Sequence, residues 1–64
     1  MPYNEQLKML RGSMSQEEIS KKIGITKSSW AMYERGERVP RDEVKIKIAN
    51  YFKKSVQEIF FGQQ

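Results

Sequence analysis

Apolar residues along this chain recur three and four positions apart, which is the spacing of an amphipathic α-helix. Leu7 and Leu10 form one such pair, and Ile19 and Ile23 form another. No segment alternates apolar and polar residues over more than a few positions, so the signals of β-strands are absent. The pattern therefore predicts an all-α fold.

Small polar residues and glycines mark where these helices begin and end. Ser15–Glu18 and Ser55–Glu58 are capping boxes, in which a serine and a glutamate satisfy free amides at a helix start. Thr26 is expected to cap a third helix, and Gly62–Gln64 are expected to fray. The helices are predicted at about 4–11, 16–23, 27–35, 42–52 and 56–61.

The connection between the second and third helices is the most informative one. It spans only two or three residues around Gly24 and Ile25. Such a turn between two steeply crossing helices is typical of a helix-turn-helix motif. We expect core packing, rather than a stacking or cofactor role, for Trp30. The expected core consists of Leu7, Leu10, Ile19, Ile23, Trp30, Ile48, Phe52 and Ile59.

Composition limits the chemistry. The 64 residues include no cysteine and no histidine, which excludes thiol nucleophiles, Cys/His zinc sites and Ser-His triads. No pair of carboxylates stands in a pattern typical of a catalytic pocket, so we expect neither an enzyme nor a bound cofactor. The chain also shows no signal peptide and no apolar stretch long enough for a membrane span, so we expect a cytoplasmic protein.

Charge points to a class of partner. Twelve lysines and arginines against eight acids give a net charge of +4, which favours a polyanion, nucleic acid first and an anionic membrane second. Not all of this charge is expected to act in binding. The lysines expected on a solvated surface are Lys21, Lys22, Lys45, Lys47, Lys53 and Lys54.

From about Leu7 to Phe60, the chain resembles the lambda-repressor-like (XRE) family of bacterial and phage regulators. The matching stretches are Ser15–Lys27, Tyr33–Gly36, Val39–Pro40, Lys47–Ala49 and Ser55–Phe60. The resemblance implies one domain over residues 1–64, a compact bundle of five short helices. Its second and third helices would form the helix-turn-helix.

Three positions depart from the family pattern. Ser20 stands where alanine is usual, and its hydroxyl can bond a carbonyl one turn back. Trp30 replaces a smaller aliphatic residue on the inner face of the third helix. Lys53 stands where glycine commonly ends the fourth helix, and a positive φ there would cost about 1 kcal/mol relative to glycine.

The resemblance implies that the third helix enters the DNA major groove with its N-terminal end first. The residues implied to read bases are Lys27, Ser28, Ala31 and Met32. Lys27 could donate to guanine, whereas Ala31 and Met32 could contact a thymine methyl group. The alternative is that Lys27 and Ser28 form an ordinary solvated helix start.

Phosphate contacts are expected at helix starts and in basic loops. The candidates are Ser15, Gln16, Ser29, Arg38 and Arg41. Free amides at the start of the second helix favour an anion, and the resemblance implies that Gln16 also braces Lys27. The alternatives are a plain helix cap at Ser15 and ordinary surface arginines in the loop.

An acid on a DNA-binding helix would repel phosphate. The family resolves this conflict with an ion pair to an arginine of the first helix. The matching residues are Arg11 and Glu34. We expect them to form a partly buried structural tie.

Members of the family usually bind two half-sites of a palindromic operator as a homodimer, with roughly 34 Å between half-site centres. Self-association would use the last two helices. We expect Val56, Gln57 and Phe61 at the dimer contact. The alternative is that Phe61 folds back over its own domain.

These features predict a bacterial or phage transcriptional regulator that binds double-stranded DNA and is associated with the nucleoid when bound. The simplest mechanism is repression by promoter occlusion, and activation by contact with polymerase stays open. The second hypothesis is a protein-interaction module, such as an antitoxin whose main partner is a protein. The sequence shows no small-molecule site.

Overall fold

The computed structural model describes residues 1–61, and within that range the chain forms helices and turns without a strand. Four α-helices follow in order, α1 (Tyr3–Arg11), α2 (Gln16–Ile23), α3 (Lys27–Glu34) and α4 (Asp42–Phe52). A π-helical segment, Gln57–Phe61, comes last. This is the all-α bundle of five helices that the sequence predicts. The expected fraying of Gly62–Gln64 lies outside the described residues.

Three elements differ from the predicted bounds, and the first is α1, which begins one residue earlier, at Tyr3. α3 ends at Glu34, because Arg35 already serves as its C-cap. The last element is a π-helix from Gln57 rather than an α-helix. A π-helix turns less per residue than an α-helix, so the neighbours Ile59 and Phe60 can both face the interior, and both are buried.

Serine caps hold the starts of α2 and the π-helical segment. Ser55 forms both bonds of its capping box, since its Oγ accepts from Glu58 N at 3.0 Å and its amide donates to Glu58 Oε1 at 2.8 Å. At the first box only the serine bond forms, from Glu18 N to Ser15 Oγ at 3.0 Å. Both caps supply an acceptor for an amide that has no partner within its helix.

The core lies where α1, α2, α3, α4 and the π-helical segment meet. Its buried apolar residues are Leu7, Ile19, Ile23, Trp30, Tyr33, Ile48, Ala49, Ile59 and Phe60. Leu10 and Phe52, which the sequence also assigns to the core, are partly buried and pack against it. Ser20 is buried as well, and its hydroxyl donates to Glu17 O at 2.8 Å, which confirms the backbone bond expected of this serine.

The turn between α2 and α3 consists of Gly24, Ile25 and Thr26. Gly24 has φ 91° and ψ 35°, a left-handed conformation that residues with side chains rarely adopt. The amides of Gly24 and Ile25 both donate to Ser20 O, at 2.8 Å and 2.9 Å. Ile25 packs against the core. The turn therefore sets the direction in which α3 leaves α2.

Within residues 1–61, no helix is long and apolar enough to cross a membrane.

Lys53 ends α4 in the left-handed conformation, with φ 58° and ψ 43°. Within residues 1–61 it is the one residue other than glycine that has a positive φ. Its amide donates to Asn50 O at 3.2 Å, and that of Lys54 donates to Ala49 O at 3.0 Å. The helix end is thus well bonded, but a lysine adopts the backbone conformation at a cost.

We expect Lys53→Gly to raise the free energy of unfolding by about 1 kcal/mol, because glycine adopts this conformation without strain. Urea unfolding followed by far-UV circular dichroism measures the change. Lys47→Gly is the matched control, since it removes the same side chain from the exposed interior of α4 and should lower the free energy of unfolding by about 1 kcal/mol. A loss of stability in both variants would contradict the strain assigned to Lys53.

Candidate nucleic-acid interface

The carboxylate of Glu34, at the end of α3, is buried at 2% exposure and accepts bonds from three side chains. Arg11 of α1 donates through Nε at 2.5 Å and through Nη2 at 3.1 Å. Gln16, the first residue of α2, donates through Nε2 at 3.0 Å. The Trp30 indole N–H also donates to this carboxylate. One anionic group therefore joins α1, α2 and α3.

This network holds both charges in place. Burial by itself raises the pKa of Glu34, but the hydrogen bonds from Arg11, Gln16 and Trp30 and the charge of Arg11 outweigh it, so the pKa lies below its ordinary value. The hydrogen bond to Glu34 raises the pKa of Arg11. Arg11 Nη1 also donates to Met14 O at 2.7 Å, which ties the α1–α2 loop to the same pair.

The sequence points to Arg11 and Glu34 but misses the other two donors. Trp30 stands four residues before Glu34, the spacing that brings two side chains together on one helix face, so its signal was present. Gln16 carries no such local signal. Its side chain makes its hydrogen bond with Glu34 rather than with Lys27, because an ionised, buried carboxylate is the stronger partner.

The outer side of α3 presents the four residues assigned to base reading. Lys27 and Ser28 are exposed at its N-terminal end. Ala31 and Met32 lie one turn further along and are half-buried. The aromatic residues of α3 are buried on its inner side. The side that carries the four residues assigned to base reading therefore faces away from the core.

An open groove of about 500 Å³ lies beside the first turn of α3 and extends to the start of α4. It is lined by Ile25, Thr26, Ser29, Tyr33, Arg38, Val39, Arg41, Glu43 and Val44. The structure thus brings Ser29, Arg38 and Arg41, three of the candidates for phosphate contact, to one groove. Glu43 opposes them with a negative charge and stands in the first turn of α4, where the helix dipole favours an acid.

Hydrogen bonds at the start of α3 orient the groove's hydroxyl groups. Thr26 Oγ1 accepts from Ser29 N at 3.1 Å and caps the helix. The same oxygen donates to Ser29 Oγ at 2.9 Å. The Ser29 hydroxyl hydrogen is then available to an anion in the groove.

The remaining candidates lie at two other places. Ser15 is the exposed N-cap of α2, beside Gln16, and is not one of the residues that line the groove. Val56 is partly buried against the core, and Gln57 is exposed. Phe61 is 51% exposed at the end of the described chain.

Lys45 is not the solvated lysine that the sequence predicts. Its side chain is only 12% exposed, and Nζ lies 3.8 Å from Asp42 Oδ1. The ammonium group also lies 4.7 Å from the ring centroid of Phe61 and 5.7 Å from that of Phe60. An ammonium group is attracted to aromatic faces, and a lysine stem packs well against apolar surface. In the sequence, the apolar run Ile59–Phe61 carries no signal that its aromatic rings contact a lysine of α4.

In residues 1–61, no group of three or more acidic side chains could hold a metal ion.

Residues 7–59 match the protein-family model described as "Helix-turn-helix". A search among curated proteins found no match to the chain.

The network predicts how acid acts on the domain. The folded pKa of Glu34 lies below its ordinary value of 4.5, so the stability it contributes is present above about pH 4.5 and is lost as the pH falls through the folded pKa. We expect Glu34→Gln to lower the free energy of unfolding at pH 7 by about 3 kcal/mol, because Arg11 loses its counter-charge. The variant's stability should also decline less between pH 5 and pH 3.

Urea unfolding by circular dichroism at several pH values measures both effects. Glu37→Gln is the control, since Glu37 pairs with Arg35 on the surface, with an Nε–Oε2 distance of 2.8 Å, and exposed pairs contribute little. Equal losses at the two positions, or an unchanged acid response in Glu34→Gln, would contradict the role assigned to Glu34.

Proposed function

The chain belongs to the lambda-repressor-like helix-turn-helix family of DNA-binding transcription regulators, and on that premise we propose that it is a repressor. In this proposal a homodimer binds a palindromic operator in duplex DNA and occludes a promoter. The observation that carries the proposal is the groove beside the first turn of α3. Ser29, Arg38 and Arg41 meet there, next to the exposed Lys27 and Ser28.

Base reading falls to the outer side of α3, entering the major groove with its N-terminal end first. Lys27 donates to guanine O6 or N7, and Ser28 accepts or donates according to the base it meets. Ala31 and Met32, half-buried one turn further along, offer apolar contact to a thymine methyl group.

Phosphate contacts position the domain on both sides of α3. Arg38 and Arg41 neutralise backbone charge from the groove, and the Ser29 hydroxyl donates to a phosphate oxygen. Ser15 and Gln16 offer the free amides at the start of α2. The pairing of Glu34 with Arg11 supports this orientation, because it removes an unpaired negative charge from the DNA-binding helix.

The proposed homodimer forms through the C-terminal segment of the domain. One domain reads few base pairs, and a second copy doubles the site, with roughly 34 Å between half-site centres. Val56, Gln57 and Phe61 form the proposed contact. Phe61 supports it with a large apolar ring that remains 51% exposed even though it packs against Lys45.

Lys27→Ala tests base reading. Selection from random duplex DNA first supplies the preferred site. We expect the variant to bind this site more weakly by about 1–3 kcal/mol and to lose preference at one base pair. Lys22→Ala is the control, since it removes an equal charge from the exposed end of α2 and should leave the preference intact. Unchanged affinity and preference in Lys27→Ala would remove Lys27 from the reading surface.

Arg38→Ala tests phosphate binding. We expect it to weaken selected and random duplexes alike and to lower the slope of log affinity against log salt by about one, because one phosphate contact is lost. Fluorescence anisotropy over a series of salt concentrations measures the affinity and the salt slope.

A titration of the wild-type protein against the selected duplex at high concentration measures the stoichiometry, which we expect to be two chains per operator.

The wild-type protein decides between the two classes of function. A steep salt dependence supports DNA binding through several phosphates. A flat response, or no binding to any duplex, would instead favour the interaction module whose main partner is a protein. One chain per selected duplex would rule out the homodimer on its operator.

A further inference from the structure

A hydrogen bond at the surface connects α1 with the loop between α3 and α4. Tyr3, the first residue of α1, donates its hydroxyl to the backbone carbonyl of Arg38 at 3.0 Å. Its ring lies against Phe60, with ring centroids 5.9 Å apart and an angle of 35° between the planes. The hydroxyl is therefore held at the end of a ring that is itself anchored on the core.

The carbonyl that Tyr3 holds belongs to the loop between α3 and α4. This loop carries Arg38 and Arg41, and both side chains line the groove proposed for phosphate. The start of α1 also lies beside the beginning of the loop, since a Cβ at Gly36 would be 3.6 Å from Asn4 Cγ. Across residues 1–61 no ion pair engages the guanidinium of Arg38 or Arg41.

We propose that Tyr3 is a positioning residue for DNA binding: its hydroxyl holds the Arg38 carbonyl and so fixes the loop from which Arg38 and Arg41 reach phosphate. This proposal rests on the proposed function, because it names a residue that positions the same phosphate-binding site. Tyr3 itself touches no DNA. It acts through the backbone that carries the two arginines.

The physical reason is the entropy of the loop. Both arginines are exposed and have many rotamers, so a mobile backbone beneath them would add a further ordering cost on binding. A backbone that is already ordered in the folded protein loses no further conformational entropy when DNA binds. A tyrosine hydroxyl at its ordinary pKa of 10.0 is already protonated at neutral pH, and burial raises the pKa of Tyr3 further, so the hydroxyl is a donor there.

Tyr3→Phe is the matched substitution, because it removes the hydroxyl and keeps the ring on Phe60. Tyr51→Phe is the control, since among residues 1–61 the Tyr51 hydroxyl makes one weak contact, 4.0 Å to Met14 Sδ. Limited digestion with trypsin reports on the loop without any DNA, because trypsin cleaves the chain after Arg38, at the carbonyl that Tyr3 holds.

We expect cleavage after Arg38 to be about two- to tenfold faster in Tyr3→Phe than in the wild type or Tyr51→Phe, in proportion to the loss of one hydrogen bond. Lys47→Gly lowers the stability of the domain without touching this hydrogen bond. It should speed cleavage after Lys21, inside α2, which requires the domain to open, and leave cleavage after Arg38 at its wild-type rate, because the loop opens locally. Equal acceleration after Arg38 in Lys47→Gly and Tyr3→Phe, or no acceleration there in Tyr3→Phe, would overturn the tether.

Duplex binding tests the functional half. We expect Tyr3→Phe to weaken binding about two- to tenfold with an unchanged salt slope, because the phosphate contacts keep their number. Arg38→Ala, in contrast, lowers the slope. Faster cleavage with unchanged affinity would overturn the positioning role. If the wild type binds no duplex, the proposed function and the positioning role fall together, and the cleavage rates still decide the tether.

Discussion

The buried carboxylate of Glu34 joins the three helices that frame the candidate interface. Glu34 is 2% exposed, and a charge removed from water at this depth needs partners. Arg11, Gln16 and Trp30 supply them from α1, α2 and α3. A chain of 64 residues can bury only a small core, so a shared acceptor that orients three helices contributes much of its specificity.

This centre places α1 in an unexpected role. At the C-terminal end of α1, Arg11 forms an ion pair with Glu34, the last residue of α3. At its N-terminal end, Tyr3 holds the backbone of Arg38 in the loop that follows α3. In the proposed binding mode α1 contacts no DNA. It nevertheless supports both ends of the segment that does, and it leaves the outer side of α3 free for the duplex.

The distribution of charge becomes clearer once these contacts are known. The net charge of +4 suggests a general attraction to polyanions, yet several cations are engaged within the protein. Arg11 pairs with the buried acid, Arg35 pairs with Glu37, and Lys45 lies between Asp42 and two aromatic rings. The arginines around the groove are therefore more informative about a partner than the total charge.

Local sequence is enough to predict the helical order, the serine cap at Ser15 and the glycine turn at Gly24, because caps, turns and helical faces depend on residues within a few positions of one another. The contact of Tyr3 with Arg38, thirty-five positions away, and the packing of Lys45 against aromatic rings are visible in the folded protein alone. Such contacts depend on how the helices pack. Since packing places distant side chains within hydrogen-bond or ring-contact distance, no local pattern in the chain encodes it.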